Sequence, residues 1–189
     1  MKRSVLNLGC GVDIRHSTNE FNIYNIDLSV PCDVQANIIY LPFKEASITT
    51  VLLLNVIEHI RDIQTLKKEC ARVLVPKHGV VQILVPHYLS PDAYGDPTHV
   101  RFFSHHSWFN HYWPGFIPYK VKKIYPQSPP HYIPLPGLDK KDEDEHVWWD
   151  VIMVRNSIPF EIVSKGYDKE FIKMGCGDYA KSNTHTIYD

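Results

Sequence analysis

The chain has 189 residues, 44% of them apolar and 22% charged, which excludes an intrinsically disordered protein and favours a single folded domain. Lys and Arg number 20 against 21 Asp and Glu, so the formal net charge of -1 provides no global positive field for nucleic acid. The cysteines (Cys10, Cys32, Cys70 and Cys176) form no CxxC pair, which argues against a zinc knuckle or a disulfide scaffold.

The chain shows no sequence signature of export or of membrane insertion. No charged segment followed by an apolar core opens it, and no apolar run approaches the ~18 to 20 residues that span a bilayer. We therefore expect a cytoplasmic protein that has no membrane partner.

Two apolar runs separated by a glycine turn come first along the chain. Residues 4–8 lead into Gly9-Cys10-Gly11, and residues 22–26 end at Asp27, so both runs predict buried parallel strands. Glycines let a backbone approach a ligand without a Cβ clash, and an acid at the next strand end can accept from both ribose hydroxyls. The pattern is typical of a site for a nucleoside-bearing cofactor. A glycine turn beside a loop-capping acid accounts for it equally well.

A strand-helix-strand unit follows. Residues 49–54 and 80–85 are apolar and rich in β-branched side chains, as in strands covered on both faces, and the segment between them predicts an amphipathic crossover helix. Its apolar stripe comprises Ile63, Leu66, Cys70, Val73 and Leu74, and its polar side comprises Lys67, Lys68, Glu69 and Arg72. Pro76 and Gly79 are expected to end the helix, because proline lacks a donor and glycine permits a positive φ.

The second half of the chain predicts an antiparallel edge interrupted by a long insertion. Ser104 can cap a helix through Trp108, Phe109 and Tyr112 that ends at Pro114-Gly115. Three strand-like runs follow, at residues 119–125, 147–154 and 160–164. Between and after them lie a Pro-rich insertion, a charged loop and a weakly periodic tail, at residues 126–137, 140–145 and 166–189.

Several short segments stand in a recurrent order over roughly the first 110 residues: VLNLGCG, NIDLS, LPFKEAS, LLNVIEH, CARVLVP and VVQILVP, followed by DPTHVRFFS. In this order they resemble the small S-adenosylmethionine (SAM)-dependent methyltransferases of the class I superfamily, of the type 11 kind. The resemblance implies an α/β fold, a Rossmann-like doubly wound seven-stranded sheet of order 3-2-1-4-5-7-6 with one antiparallel strand, in three α/β/α layers. It also implies one methyltransferase domain over residues 1–189, with a SAM-binding half at 1–86 and an acceptor-side half at 87–165.

The same resemblance implies a set of residues that bind the cofactor SAM. The glycine turn would lie under the methionine part, Asp27 would hold the ribose, and Leu28 would flank the adenine. Asn37 and Ile38 would contact the adenine edge, and the backbone of Asn55 would line the methionine side. The full implied set is Gly9, Cys10, Gly11, Asp27, Leu28, Asn37, Ile38 and Asn55.

The chain departs from the family pattern at three places. Asn37 and Thr49 stand where the family commonly has Asp, and residues 12–21 are too short and polar for the helix that normally follows the glycine turn. These departures motivate one alternative, a catalytically silent SAM-binding or partner protein. A nicotinamide-dependent dehydrogenase is disfavoured, because its G-x-G-x-x-G motif requires glycine where this chain has Ile14.

The acceptor is expected beyond the carboxyl ends of the fourth and fifth strands, since ligands approach an open α/β sheet from that edge. Glu58, His59, His87, Asp96 and His99 follow those strands. One interpretation gives these residues structural roles only. Glu58 and His59 would form the first turn of a helix, and Asp96 would cap an Asp-Pro-Thr turn. A catalytic interpretation makes His99 or His59 a general base for the acceptor.

A metal-binding interpretation competes with these. The segment NVIEH is similar to the E-x-x-E-H element of metal-dependent small-RNA end methyltransferases and ubiquinone-pathway O-methyltransferases, with His99 in the place of a later His. That similarity implies a metal-assisted nucleic-acid or nucleotide methyltransferase using Glu58, His59 and His99. Because Asn55 replaces the first Glu of the element, we expect no resident metal and keep these three residues as the alternative.

Most aromatic residues of the second half are expected in the core, and the remainder in the wall of an acceptor pocket. They are Phe102, Phe103, Trp108, Phe109, Tyr112, Trp113, Trp148 and Trp149. A modest basic patch is typical of a solvated strand face, and it consists of Arg101, Lys120, Lys122 and Lys123. We expect the methyl acceptor to be a small molecule or glycan-type metabolite.

Overall fold

A seven-stranded sheet organises the chain. The computed structural model describes residues 2–29, 31–108, 113, 115–124 and 148–155. The strands are β1 (Arg3–Leu8), β2 (Phe21–Asp27), β3 (Val34–Gln35), β4 (Thr50–Leu54), β5 (Val80–Pro86), β6 (Phe116–Ile124) and β7 (Trp148–Arg155). Their order in the sheet is β3-β2-β1-β4-β5-β7-β6, which confirms the predicted fold class.

Strands β1 to β5 run parallel, and β7 is antiparallel to both of its neighbours, β5 and β6. The antiparallel edge is therefore confirmed. A register shift falls between Pro118 and Lys120 in β6, where proline has no N–H for the ladder. The strand expected at 160–164, the insertion at 126–137, the loop at 140–145 and the tail at 166–189 lie outside the described residues.

The carboxyl ends of the parallel strands meet along one edge of the sheet. Val51 and Leu53 of β4 are fully buried at the centre, as are Leu6 and Leu8 of β1. Continuous apolar runs of this kind fit strands that have both faces covered. The loops that leave β1, β2, β4 and β5 therefore converge on a common edge, and the candidate site lies there.

Helix α1 (Ile63–Val73) connects β4 to β5 and begins at Asp62, whose carboxylate accepts from the Thr65 N–H at 3.0 Å. The predicted apolar stripe is buried. Lys67, expected on the polar side, is only 4% exposed, and its ammonium lies 4.6 Å from the centre of the Trp113 ring. The reason is helical spacing, since position 67 falls four residues after Ile63 and shares its face. Burial lowers the pKa of Lys67 to about 8.

The end of α1 differs in detail from the expectation. Leu74 is already extended, and the positive φ of the following turn, 68°, belongs to Lys77 rather than Gly79. Gly79 is required for space instead, because a Cβ there would lie 2.6 Å from the Val75 carbonyl oxygen and 2.8 Å from Leu74 Cβ. The helix thus ends before Pro76, as expected, but Gly79 provides space for the following turn and not its positive φ.

An aromatic cluster fills the core beneath the acceptor-side half. The Phe103 and Trp108 rings stack at 5.2 Å, and Trp108 also contacts Trp113 and Trp149. The helix expected from Ser104 begins as a 3-10 helix, His105–Trp108, while Phe109 and Tyr112 lie outside the described part of the chain. Among the aromatic residues that are described, most are core, as predicted. No helix within the described ranges has the length and apolar character needed to cross a bilayer.

Candidate functional site

The glycine turn after β1 has a left-handed backbone at both of its glycines. Gly9 and Gly11 have φ of 62° and 50°. The turn is closed by the Cys10 N–H, which donates to the Ile26 carbonyl at 3.1 Å, and by the Asp13 N–H, which donates to the Cys10 carbonyl at 2.8 Å. The two glycines meet different surroundings. A Cβ on Gly9 would lie 2.8 Å from a Val56 methyl, whereas a Cβ on Gly11 would meet no atom within 4 Å.

We predict unequal effects of alanine at these two glycines. Gly11→Ala should cost about 1 to 2 kcal/mol, the usual price of a left-handed backbone with a Cβ. Gly9→Ala should destabilise the protein further, because its methyl also collides with Val56. Urea unfolding of both variants measures the difference. Val56→Ala should recover part of the Gly9→Ala loss and none of the Gly11→Ala loss, and equal losses in the two variants would contradict the prediction.

Asp27 lies at the end of β2 and faces the glycine turn. Its Oδ2 accepts from the Gly11 N–H at 3.0 Å, and its Oδ1 accepts from the Ser29 N–H at 3.1 Å. A carboxylate oxygen has two lone pairs and can accept more than one hydrogen bond. The predicted glycine turn and the predicted acid are thus brought into direct contact.

Asparagine side chains support the loop between β1 and β2, where the described residues form a turn and no helix, as expected. Asn7 and Asn25 are buried neighbours in register, and Asn7 Nδ2 donates to Asn25 Oδ1 at 3.1 Å. Asn7 Nδ2 also donates to the Asp13 carbonyl. Asn25 Oδ1 accepts from the Arg15 N–H, and Asn25 Nδ2 donates to the Arg15 carbonyl. Asp33 Oδ2 accepts from Asn25 Nδ2 at 2.7 Å. This network was not predicted, because residues 4–8 and 22–26 were interpreted only as apolar runs.

The residues expected around the adenine lie where β2 and β3 end. The side chain of Leu28 is 60% exposed and open to a ligand. Asn37 is exposed, and its Oδ1 accepts from the Ile39 N–H at 3.1 Å, so one of its two lone pairs is engaged. The side chain of Ile38 is buried in the core, which leaves its backbone as the part able to contact a ligand.

Asn55 follows β4 with an unusual backbone for a non-glycine residue, at φ 56°. Its N–H donates to the Leu84 carbonyl at 2.8 Å, while its side-chain Oδ1 is buried without a hydrogen-bond partner. A buried unpaired amide oxygen is unfavourable by itself, and a donor from an ordered water or a ligand would satisfy it. The sequence reading assigned only the backbone of Asn55 to the site, and the tolerance of asparagine for left-handed φ was the available signal.

A second cluster lies on the acceptor side, where Glu58, His59 and His99 come together. Glu58 and His59 belong to a one-turn 3-10 helix, Ile57–His59, with Glu58 in its first turn as turn chemistry predicted, and this helix is separate from α1. The Glu58 carbonyl accepts from the Val100 N–H at 2.8 Å, which ties the loop after β5 to this 3-10 helix. One ligand atom from each of the three side chains lies within 4.8 Å of the others.

The carboxyl group of Glu58 is the most unusual titratable group of the cluster. Glu58 is 1% exposed, and neither of its carboxyl oxygens has a hydrogen-bond partner. Burial raises the pKa of Glu58 to about 8, and the nearby Asp96 carboxylate acts in the same direction. A protonated, neutral Glu58 is therefore the ground state of the ligand-free protein at neutral pH.

The hydrogen bonds of the two imidazoles define their tautomers. Thr98 Oγ1 donates its proton to Asp96 Oδ1 at 2.7 Å, so it accepts from Nδ1 of His59 at 2.9 Å. His99 Nδ1 lies 2.9 Å from the Ala93 carbonyl, which can only accept. In its neutral form each ring therefore carries the proton on Nδ1 and has a lone pair on Nε2. Burial, assisted by His99, lowers the pKa of His59 and keeps it neutral. The expected Asp-Pro-Thr turn is confirmed by the same bonds.

His87 and the expected basic patch lie apart from this cluster. The His87 ring lies 4.9 Å from the Trp149 ring at a tilted angle of 36°, and its Nδ1 accepts from the Leu89 N–H. Arg101 donates to the Ile60 and Arg61 carbonyls, and Lys120 pairs with Asp150. Lys122 and Lys123 are exposed on β6, in line with the solvated strand face that we predicted, whereas Arg101 lies outside the strands.

Comparison with known proteins agrees with this architecture. Residues 6–81 match the family model of a methyltransferase domain. Among solved structures, a SAM-dependent methyltransferase of Archaeoglobus fulgidus superimposes with a TM-score of 0.58 at 16% identity, covering 82% of this chain and 86% of that one. The fold is that of the class I methyltransferases. A geranyl diphosphate C-methyltransferase of Streptomyces coelicolor, determined with Mg²⁺, geranyl diphosphate and S-adenosyl-L-homocysteine, has a TM-score of 0.55 at 13% identity, covering 82% of this chain and 73% of that one.

A curated relative matches part of the chain. The chain is 32% identical over 91 residues to an uncharacterised protein of Methanocaldococcus jannaschii. The match covers 43% of this chain and 40% of the relative, so the chain aligns with less than half of that protein's length.

Proposed function

We propose that the protein is a SAM-dependent methyltransferase acting on a small-molecule or glycan-type acceptor. The contact that carries the proposal joins the left-handed glycine turn to Asp27, through the 3.0 Å bond from Gly11 N–H to Asp27 Oδ2. It lies at the carboxyl edge of a class I methyltransferase sheet, where such folds bind their ligands.

The residues of this crevice fit an adenosyl-methionine group. The space above Gly11 would accept a ligand, the Asp27 carboxylate would accept from the ribose hydroxyls, and Leu28 would offer an apolar surface to a base. Asn55 Oδ1 would gain a donor on the methionine side. A dinucleotide fits less well, because its pyrophosphate requires a glycine where Ile14 stands.

Methyl transfer requires no covalent bond between the protein and the methyl group. Bound SAM would supply an electrophilic methyl group whose bond to sulfur breaks, with the electron pair left on sulfur, as the acceptor's lone pair forms its new bond to carbon. The protein aligns the acceptor and receives its proton. Nε2 of His59 or His99 would serve as the base, because each ring has its proton on Nδ1 and a lone pair on Nε2.

Calorimetry with the unmodified chain tests the cofactor assignment. We expect SAM and S-adenosylhomocysteine to bind at least about tenfold more tightly than NAD, a difference of about 1.4 kcal/mol. Incubation with methyl-labelled SAM and pooled polar metabolites should then yield a labelled small molecule. Preferential NAD binding would overturn the cofactor assignment. Tight SAM binding without a labelled product from any acceptor pool would favour a catalytically silent SAM-binding protein instead.

A further inference from the structure

We propose that His87 and Lys123 bind an anionic group of the methyl acceptor, a carboxylate or a phosphate, beside the ring of Trp149. His87 lies between β5 and helix α2 (Pro91–Gly95), at the edge of the sheet where the acceptor is expected. This assignment of the acceptor class rests on the proposed function, whereas binding of an anion at these residues does not.

The register of the sheet places these three residues on one face. Trp149 of β7 pairs with Val85 of β5 and with Lys123 of β6, and directly paired residues have their side chains on the same face. His87 follows Val85 by two positions, which returns its side chain to that face. The centre of the His87 ring lies 4.9 Å from that of the Trp149 ring, and the Lys123 ammonium lies 5.8 Å from it. Both groups therefore lie next to the same indole.

The imidazole of His87 is the first observation that points to a ligand. The residue is 3% exposed, and its Nδ1 accepts from the Leu89 N–H at 3.1 Å. The proton of the ring is therefore on Nε2. Burial, together with the charge of Lys123, lowers the pKa of His87 and keeps the ring neutral. Within the described ranges, no acceptor is hydrogen-bonded to Nε2. Polar groups of buried side chains are normally paired, so an acceptor on a bound molecule would complete this one.

The charge of Lys123 is the second observation, and it selects the class of ligand. Lys123 is exposed and has no carboxylate partner in the part of the chain that the structure describes, whereas Lys120 of the same strand pairs with Asp150. The His87 Nε2–H and the Lys123 ammonium are both donors, and neither can accept. Two donors, one of them positively charged, favour a ligand that offers oxygen acceptors and a negative charge. A carboxylate and a phosphate both meet these requirements.

Backbone contacts hold most of this site in place. Trp149 Nε1 donates to the Phe103 carbonyl at 2.9 Å, and the Ser90 N–H donates to the His87 carbonyl at 2.8 Å. His87 and Phe103 also form a parallel β-bridge. The His87 ring therefore needs little ordering when an anion binds, which favours affinity. The exposed side chain of Lys123 supplies the adjustable part of the site.

NMR titration of the full chain with inorganic phosphate, and separately with acetate, tests the site at constant ionic strength. We expect the Trp149 indole N–H signal to shift saturably with at least one anion, and the two titrations show which group is preferred. Lys123→Gln and His87→Phe should each weaken that binding at least about fivefold, because each removes one of the two donors. The matched control is Lys122→Gln. Lys122 is an exposed lysine next to Lys123 on the opposite face of β6, and its replacement should leave the affinity unchanged.

The absence of a saturable shift with either anion would overturn the site, as would equal anion affinity in Lys123→Gln and Lys122→Gln. Methyl-labelled SAM separates this inference from the proposed function. The labelled acceptor should be retained by an anion-exchange resin, and Lys123→Gln should raise its KM with little change in kcat. An uncharged labelled acceptor would overturn the acceptor class and leave the methyltransferase proposal intact. Failure of SAM to bind would count against the proposed function and not against the anion site.

Discussion

Asp27→Ala should lower the affinity for SAM by about 10- to 150-fold, with little change in the fold. Hydrogen bonds that involve a charged group contribute about 1.5 to 3 kcal/mol each, and the ribose is expected to depend on this carboxylate. The substitution also removes the acceptors of the Gly11 and Ser29 N–H groups, which would loosen the turn that borders the ligand. Isothermal calorimetry at fixed ionic strength measures the change directly.

Asp13→Ala is the matched control for this experiment. Asp13 is an exposed carboxylate in the same loop, and its side chain pairs only with Arg15 among the described residues. Its backbone contacts with Cys10 and Asn7 survive the substitution. SAM affinity should therefore remain within about twofold of the unmodified chain, since an exposed ion pair contributes little. Equal affinity of Asp27→Ala and Asp13→Ala for SAM would remove Asp27 from the ribose site.

Arg72→Ala should destabilise the folded chain by about 2 to 3 kcal/mol, because several charge-assisted hydrogen bonds depend on one guanidinium. Arg72 Nη1 donates to the Phe43 carbonyl at 2.7 Å, and Nη2 donates to the Leu41 carbonyl at 2.9 Å. Its Nε donates to Glu69 Oε1 at 2.7 Å, and Glu69 Oε2 accepts from the Leu41 N–H. These bonds fasten the segment before β4 to α1, and urea unfolding reports their loss.

The pH dependence of stability gives a second measurement of this contact. The hydrogen bonds from Arg72 lower the pKa of Glu69 from its ordinary value of 4.5. A carboxyl whose folded pKa is depressed stabilises the protein above its unfolded pKa, and that contribution disappears as the pH falls through the lowered value. Arg72→Ala should therefore flatten the loss of stability between neutral and acidic pH. The control is Lys68→Ala, which removes a charge from an exposed position of the same helix. An equal decrease in the free energy of unfolding in Lys68→Ala and Arg72→Ala would refute the prediction.

The positions of β1, β4 and β5 were accessible from sequence because these strands are short, largely apolar runs bounded by turn residues, whereas the strand order followed from the family resemblance. Their predicted ends lie within one residue of the observed ones. Details that depend on close approach were less accessible. The role of Gly79 depends on the distance to the Val75 carbonyl, and the burial of Lys67 depends on where the Trp113 ring lies. Neither distance is encoded in local periodicity.

The site shows the same division between local and non-local information. Gly9, Gly11 and Asp27 follow two neighbouring strands, so the parallel pairing that was predicted brings them together. The cluster of Glu58, His59 and His99 was expected to share a neighbourhood. The isolation of the Glu58 carboxyl could not be foreseen, since it depends on how the loop after β5 folds back to donate from Val100 to the Glu58 carbonyl.

The amide network behind the glycine turn has a consequence for molecular recognition. Asn7 and Asn25 immobilise residues 13 and 15 when the chain folds, in a segment that lacks a helix to hold it. The conformational entropy of this segment is thus lost when the protein folds and not when a ligand binds. A nucleoside bound as proposed would meet a surface already held by hydrogen bonds, and its affinity should depend on complementarity with little contribution from loop closure.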